Sequence, residues 1–422
     1  MRFSVEWQDE AVNVAPEEQA TVADLRLWVG QGNVCLHLRN EQPADHLTIS
    51  LYSLASGLAH EWWTLFGGRD QELRLVKHRS GYAVPDIRMS YDGAVFEILA
   101  HQRVYTNPDV RFWSGPPDVM TRVEAEDKLS DFIETVLTRL NARKVTETSA
   151  ALRWARVQAS RQDADEATFC EAAGALGLDP YQVDDAAADM IGRAAGVFEG
   201  EPLTEFLAGA RKADREKLLS WVESVEKRPR YKSRLKDLGP ISAQAADMAP
   251  NRIGEMSWAL GYRRARAVRK ILGLGESHRF RGMKSLLEFL GASKNFEVAP
   301  AVDGIRLLRS DHEDGPHIHL RRHGVSSEAR SSEIFTLARG IGDIVCFPEP
   351  QKAPVNDLHS AHRQATGRAF AAELLAPVSE VLAMIDDGRD VVSAADEFCV
   401  STAVIKRQIE NAERIRAACT AD

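Results

Sequence analysis

Apolar residues recur at helical spacing early in the chain. Leu51, Leu54, Leu58, Trp62 and Leu65 lie three or four apart, so Leu47 to Phe66 predicts a helix with one buried face, stopped by Gly67-Gly68. Alternation marks strands: Asn33 to Leu38 reads as one, and Gly81 to Arg88 with Tyr91 to Ile98 reads as a hairpin turning at Asp92-Gly93. From about residue 121 the period changes. Leu129, Phe132, Ile133, Val136, Leu137 and Leu140 line one helix face, Leu152 to Val157 begins another helix, and 166–194 has helix-turn-helix-like spacing. Asp184, Asp185 and Asp189 on its second helix would repel phosphates, so that segment is read as packing. Further on, Ala265 to Leu274, Leu286 to Gly291 and Ser332 to Val345 predict helices, while Gly304 to Leu308 and His317 to Leu320 predict strands. Residues 391–409 predict two helices joined at Cys399-Val400-Ser401.

The pattern implies a multidomain α+β protein. Its expected parts are an aromatic-rich α+β domain over 1–120, a helical domain over 121–245, and a mostly helical domain with a small sheet over 246–422. A chain of 422 residues exceeds one ordinary core, and 44% apolar with 27% charged residues is the composition of a soluble globular protein. No apolar run is long enough to span a bilayer, and the N-terminus lacks a basic start followed by an apolar stretch, so no membrane partner and a cytoplasmic location are expected. Five cysteines, Cys35, Cys170, Cys346, Cys399 and Cys419, are far apart and read as reduced thiols.

A net charge of −9 argues against coating nucleic acid but leaves room for local patches. The best candidate is the helix carrying Arg263, Arg264, Arg266, Arg269 and Lys270, which makes DNA a conceivable partner. The run Glu226 to Lys236 reads as a solvated basic linker. The last helix pair would present Thr402, Lys406, Arg407 and Gln408 to DNA, although packing is the first reading. His312, His317, His319 and His323 invite a metal reading. His317 and His319 share a strand face, yet without acidic or cysteine company they read as surface residues. No nucleophile elbow, phosphate loop or dinucleotide fingerprint is present.

Phe335-Thr336-Leu337-Ala338-Arg339-Gly340-Ile341-Gly342-Asp343, followed by Gly367-Arg368-Ala369-Phe370-Ala371-Ala372-Glu373-Leu374-Leu375-Ala376-Pro377, resembles the two helical motifs of the ImmA/IrrE family of zinc metallopeptidases. The first reads F-T-L-A-H-E-L-G-H in that family. The resemblance implies a zincin-like domain from about 246, a cleft built to receive a protein chain, and a partner of the helix-turn-helix regulator class. In H-E-x-x-H the histidines, one helical turn apart, hold zinc and the glutamate acts as base on its water. The corresponding residues here are Arg339, Gly340 and Asp343, and the third ligand aligns with Thr366, or with Gln364 in a register shifted by two. A guanidinium repels a metal and glycine carries no base, so these positions are vestigial. The expectation is therefore no catalytic residues, no cofactor, and an inactive regulatory binding protein in bacterial stress response, toxin–antitoxin pairing or phage defence. Arg339 and Asp343, at i and i+4, are expected to form an ion pair. Two rival readings are a metal-dependent peptidase rebuilt around Asp343, His359 and His362, with Cys346 as a further candidate, and a DNA-binding transcriptional regulator.

Overall fold

The computed structural model describes residues 1–9, 14–106, 109–211, 213–225, 229–252, 256–292, 296–299, 303–321 and 327–419, without side chains at 230, 327–330 and 414–419. Residues 226–228 of the expected linker, Gly254 and His323 lie outside them. The fold is α+β, in two compact units, Met1–Ile191 and Gly192–Asp422.

The first unit begins with β1 (Arg2–Trp7), α1 (Pro16–Ala20) and β2 (Val22–Val29). β1 pairs antiparallel with β2, whose other edge carries β3 (Gly32–Asn33) and β6 (Leu47–Ser50). A second sheet has the order β10 (Arg103–Thr106), β11 (Asp109–Phe112), β4 (His37–Arg39), β5 (Gln42–Ala44). A third runs β12 (Asp118–Met120), β9 (Phe96–His101), β8 (Asp86–Tyr91), β7 (Leu73–Arg74). The expected hairpin is β8–β9, where Asp92 Oδ1 accepts from the amides of Ala94 and Val95 at 2.8 and 2.7 Å and Gly93 takes φ 106°. The helix expected from Leu47 starts at α2 (Tyr52–Gly67). Leu47 and Ile49 alternate with exposed Thr48 and pair with Leu25 and Ala23, so these residues are strand. The strand expected over Asn33 to Leu38 is broken because the Asn33 side chain accepts from the Cys35 amide at 3.0 Å and turns the chain.

Helices α3 (Arg122–Ala142), α4 (Ser149–Gln162) and α5 (Ala164–Ala175) complete this unit. Thr121 and Glu124 form a capping box at the start of α3, which buries Leu129, Phe132, Ile133, Val136 and Leu140 as its spacing predicts. α2 and α5 meet backbone to backbone: a Cβ on Gly174 would lie 2.1 Å from the Trp63 carbonyl oxygen. These helices share one core with the sheets, and the first compact unit runs to Ile191. The expected boundary at 245/246 falls inside a helix, α9 below.

α6 (Asp185–Ala195) straddles the division. The second unit continues with α7 (Gly200–Ala210), α8 (Arg215–Val225), α9 (Leu238–Met248), α10 (Ser257–Ile271) and α11 (Met283–Phe289). Its sheet has the order β13 (Val298–Ala299), β15 (Gly315–Arg321), β14 (Leu307–His312), β16 (Lys352–Val355), with β13 parallel to β15 and the other pairs antiparallel. α12 (Ser327–Cys346) lies on this sheet, and α13 (His362–Leu375) is wedged between α10 and α12. Glycines allow the wedge. A Cβ on Gly261 would meet the Thr366 oxygen at 2.6 Å and the Phe370 nitrogen at 2.8 Å, and one on Gly342 would meet the Phe370 ring at 2.7 Å. The last helices, α14 (Val378–Asp386), α15 (Val391–Phe398) and α16 (Thr402–Cys419), are tied on by buried Glu373. It accepts from the Val378 amide at 3.0 Å, Arg266 Nε at 2.7 Å and Gln408 Nε2 at 3.3 Å.

Among the described residues no helix is long and apolar enough to cross a membrane. Cys35, Cys170 and Cys346 are buried cysteines, and Cys399 is a half-buried one.

Candidate functional site

Five segments of the second unit converge where the vestigial site was expected: α12 with Arg339, Gly340 and Asp343, α13 with Arg363 and Gln364, β14 with Arg309, the loop after β16 with Asn356 and Asp357, and α7 with Glu205. Asp343 is buried, and its two oxygens are held by Arg363, through Nε to Oδ1 and Nη2 to Oδ2 at 2.7 Å, and by Arg309 Nη1 at 3.2 Å. Burial opposes its charge, but Arg363 and then Arg309 outweigh that and hold the carboxyl below its usual range. Arg309 is anchored further by Asp311 and by the carbonyls of Phe347 and Glu349 at 2.7 and 2.9 Å.

Arg339 takes a different direction. Its Nη2 donates to the Asn356 carbonyl and to Gln364 Oε1 at 2.9 Å, while Nη1 comes only within 3.8 Å of Asp357 Oδ1. Its buried Nε has no hydrogen-bond partner among the described residues. Burial, and then the nearby charge of Arg368, push this guanidinium down to about 9. Gln364 uses its whole amide: Oε1 also accepts from the Asn356 amide at 3.0 Å, and Nε2 donates to Glu205 Oε2 at 2.7 Å and to the Pro354 carbonyl at 2.9 Å. Gly340 rests on the sheet, where a Cβ would meet Leu307 Cδ1 at 2.7 Å, so the position expected for a general base faces hydrocarbon.

The expected ion pair between Arg339 and Asp343 is therefore absent. Arg363 and Arg309 satisfy the carboxylate from outside the helix, and Arg339 turns toward Gln364. Thr366 is buried but donates to its own helix at the His362 carbonyl, 2.9 Å away. Gln364 is the residue whose side chain meets Arg339. Asp343, His359 and His362 do not assemble. His359 is exposed, His362 lies against the Phe347 ring with centroids 6.2 Å apart, and among the described residues no three acidic, histidine or cysteine side chains could hold a metal ion.

His317 and His319 do share a face of β15, but they are buried, because Ser233 to Leu235 run along that strand and Arg321 covers Trp221. His317 lies between Ser233 Oγ at 3.0 Å and Asp314 Oδ1 at 3.1 Å, His319 bonds Ser310 Oγ at 3.0 Å, and the His312 ring meets that of His317 edge-on.

The basic face of α10 is not a continuous patch. Arg264 and Arg269 are buried and donate to the carbonyls of Val345 and Leu374, at 2.9 and 2.7 Å, near the ends of α12 and α13. Arg266 is paired with Glu373, Arg263 donates to the Pro250 carbonyl at 2.8 Å, and Lys270 is exposed. At the C-terminus Thr402, Lys406 and Arg407 are exposed, but Gln408 is buried and donates to the Ala376 carbonyl at 2.7 Å.

Arg309, Arg363, Asn356 and Glu205 were not singled out from the sequence. Arg309 carried the one usable signal, a charge following Leu307-Leu308 in a strand bound for the interior. Comparison with protein families, with curated proteins and with solved structures gives no match.

Proposed function

We propose that the second unit is a metal-free counterpart of an ImmA/IrrE-type peptidase, acting by binding a protein partner in bacterial regulation such as stress response, toxin–antitoxin pairing or phage defence. The observation that carries this reading is the buried Arg339. A fixed cation sits at the position expected for the first zinc ligand, and Asp343, the nearest remaining donor, is locked between two further guanidinium groups. Bringing a divalent ion there would set it against three charges of its own sign. Cleavage would also lack its base, since Gly340 has no side chain and a Cβ there would press on the Leu307 methyls. What such a site retains is its hydrogen-bonding and charged groups, which serve recognition.

The test is elemental analysis of untagged protein purified without chelator and soaked in excess zinc. Less than a tenth of an equivalent after desalting is the expected result. One tightly held equivalent, with cleavage of a helix-turn-helix regulator, would refute the reading.

A further inference from the structure

We propose that Arg339 is the floor of a carboxylate-binding site, occupied in the complex by an acidic group of the protein partner, with Asp357 holding the place until that group arrives. This rests on the binding function proposed above.

Arg339 is 5% exposed, yet its Nη1 donates to nothing among the described residues, since Asp357 at 3.8 Å is beyond hydrogen-bonding distance. A buried donor left unmade is expensive, and the demand is for an acceptor carrying negative charge. Arg306 and Arg368 add to the positive field at Arg339, against Asp357 and Glu205. Glu205 is buried and committed to Gln364 at 2.7 Å, which leaves Asp357 as the only one of these carboxylates that could be exchanged.

Asp357 is suited to exchange. Its side chain is 59% exposed and is held by Arg306 Nε at 2.7 Å, while Arg368 fixes the loop beside it through the carbonyls of Leu358 and His359 at 2.8 and 2.7 Å. A carboxylate arriving from solvent reaches Arg306 and Arg339 by taking over the place of Asp357. The planar edge of a guanidinium matches the two oxygens of a carboxylate, and the group now nearest to Arg339 Nη1 is itself a carboxylate.

The full chain is melted in sodium acetate, in sodium chloride of equal ionic strength and in inorganic phosphate, as wild type, Asp357→Ala and Asp357→Ala/Arg306→Gln. Acetate supplies the carboxylate that the first substitution removes. The expected result is a saturable, acetate-specific rise in Tm, half-maximal in Asp357→Ala at about one tenth the concentration wild type needs, because the internal competitor is gone. Adding Arg306→Gln should return the requirement toward wild type. Arg306 is half-buried and Asp357 is exposed, so the test does not depend on a variant of buried Arg339. Coincident acetate and chloride curves, equal acetate responses in wild type and Asp357→Ala, or a larger response to phosphate would overturn the proposal. Stoichiometric zinc in the elemental analysis would instead defeat the metal-free reading and leave the acetate result to be judged separately.

Discussion

Removing the carboxylate of Asp343 leaves two guanidinium groups in the interior without their shared anion. Arg309 and Arg363 have side chains 1% and 3% exposed. Arg309 keeps Asp311 and three backbone carbonyls, so it loses little. Arg363 keeps the hydrogen bond to Gln351 Oε1 at 2.8 Å, the face of Phe347 at 4.7 Å and the more distant charges of Glu205 and Glu201, but no carboxylate bonded to it among the described residues. Breaking a buried pair from one side typically costs about 3–5 kcal/mol, and that loss is expected for Asp343→Ala. For a unit of this size it corresponds to a fall in Tm on the order of 10 °C. An exposed i,i+4 pair with Arg339 would have been worth only about 0.3–0.5 kcal/mol. Urea unfolding followed by circular dichroism, on Asp343→Ala, Arg363→Ala, Arg339→Ala and the two double variants containing Asp343→Ala, separates the cases. Coupling of at least about 1 kcal/mol is expected with Arg363 and near zero with Arg339. A loss below about 1 kcal/mol, or equal couplings, would refute the reasoning.

Asp343 also sets an acid limit. Its folded-state carboxyl is depressed, so its stabilisation is present above the unfolded value of about 3.9 and is lost as pH falls through the folded one; unfolding free energy against pH should have a shallower acid limb in Asp343→Asn. Gly261→Ala should destabilise by about 1–3 kcal/mol or more in denaturant titration, since the added methyl meets backbone atoms of α13 that cannot rotate away. Arg264→Ala should lower Tm clearly while Lys270→Ala leaves it within about 1 °C, because only the first withdraws a donor from a buried helix end. A shift of DNA affinity in Arg264→Ala without loss of stability would contradict that assignment.

Long periodic segments were legible in the sequence. The face of α3 from Leu129 to Leu140, the β8–β9 hairpin and the glycine-ended α10 follow from spacing and turn chemistry, which act over a few residues. Segments where two local signals compete were not. Leu47 to Ser50 fits a helical stripe and a strand equally until β2 supplies a partner. The candidate site was legible as a location, through α12 and α13, but not as a set of partners. Arg339 and Asp343 are one helical turn apart in sequence, yet each is claimed by a residue on another element. Only the tertiary fold brings Arg309, Gln364 and Glu205 to them. The histidines of β15 misled for a similar reason, since their burial depends on Ser233 and Trp221 from distant parts of the chain.

Glu205 has a consequence for how the second unit comes into being. Its backbone and side chain meet Asn356 and Gln364, 151 and 159 residues further along the chain. On the ribosome α7 therefore emerges long before its hydrogen-bonding counterparts exist, with Leu203, Phe206 and Leu207 lacking the structure that buries them. Contacts of such sequence separation close slowly and together, so nascent chains should stay protease-sensitive from about residue 200 until α13 has left the exit tunnel. A chain cut short before residue 362 would then not be a smaller version of this unit, but a segment that a cell treats as unfolded.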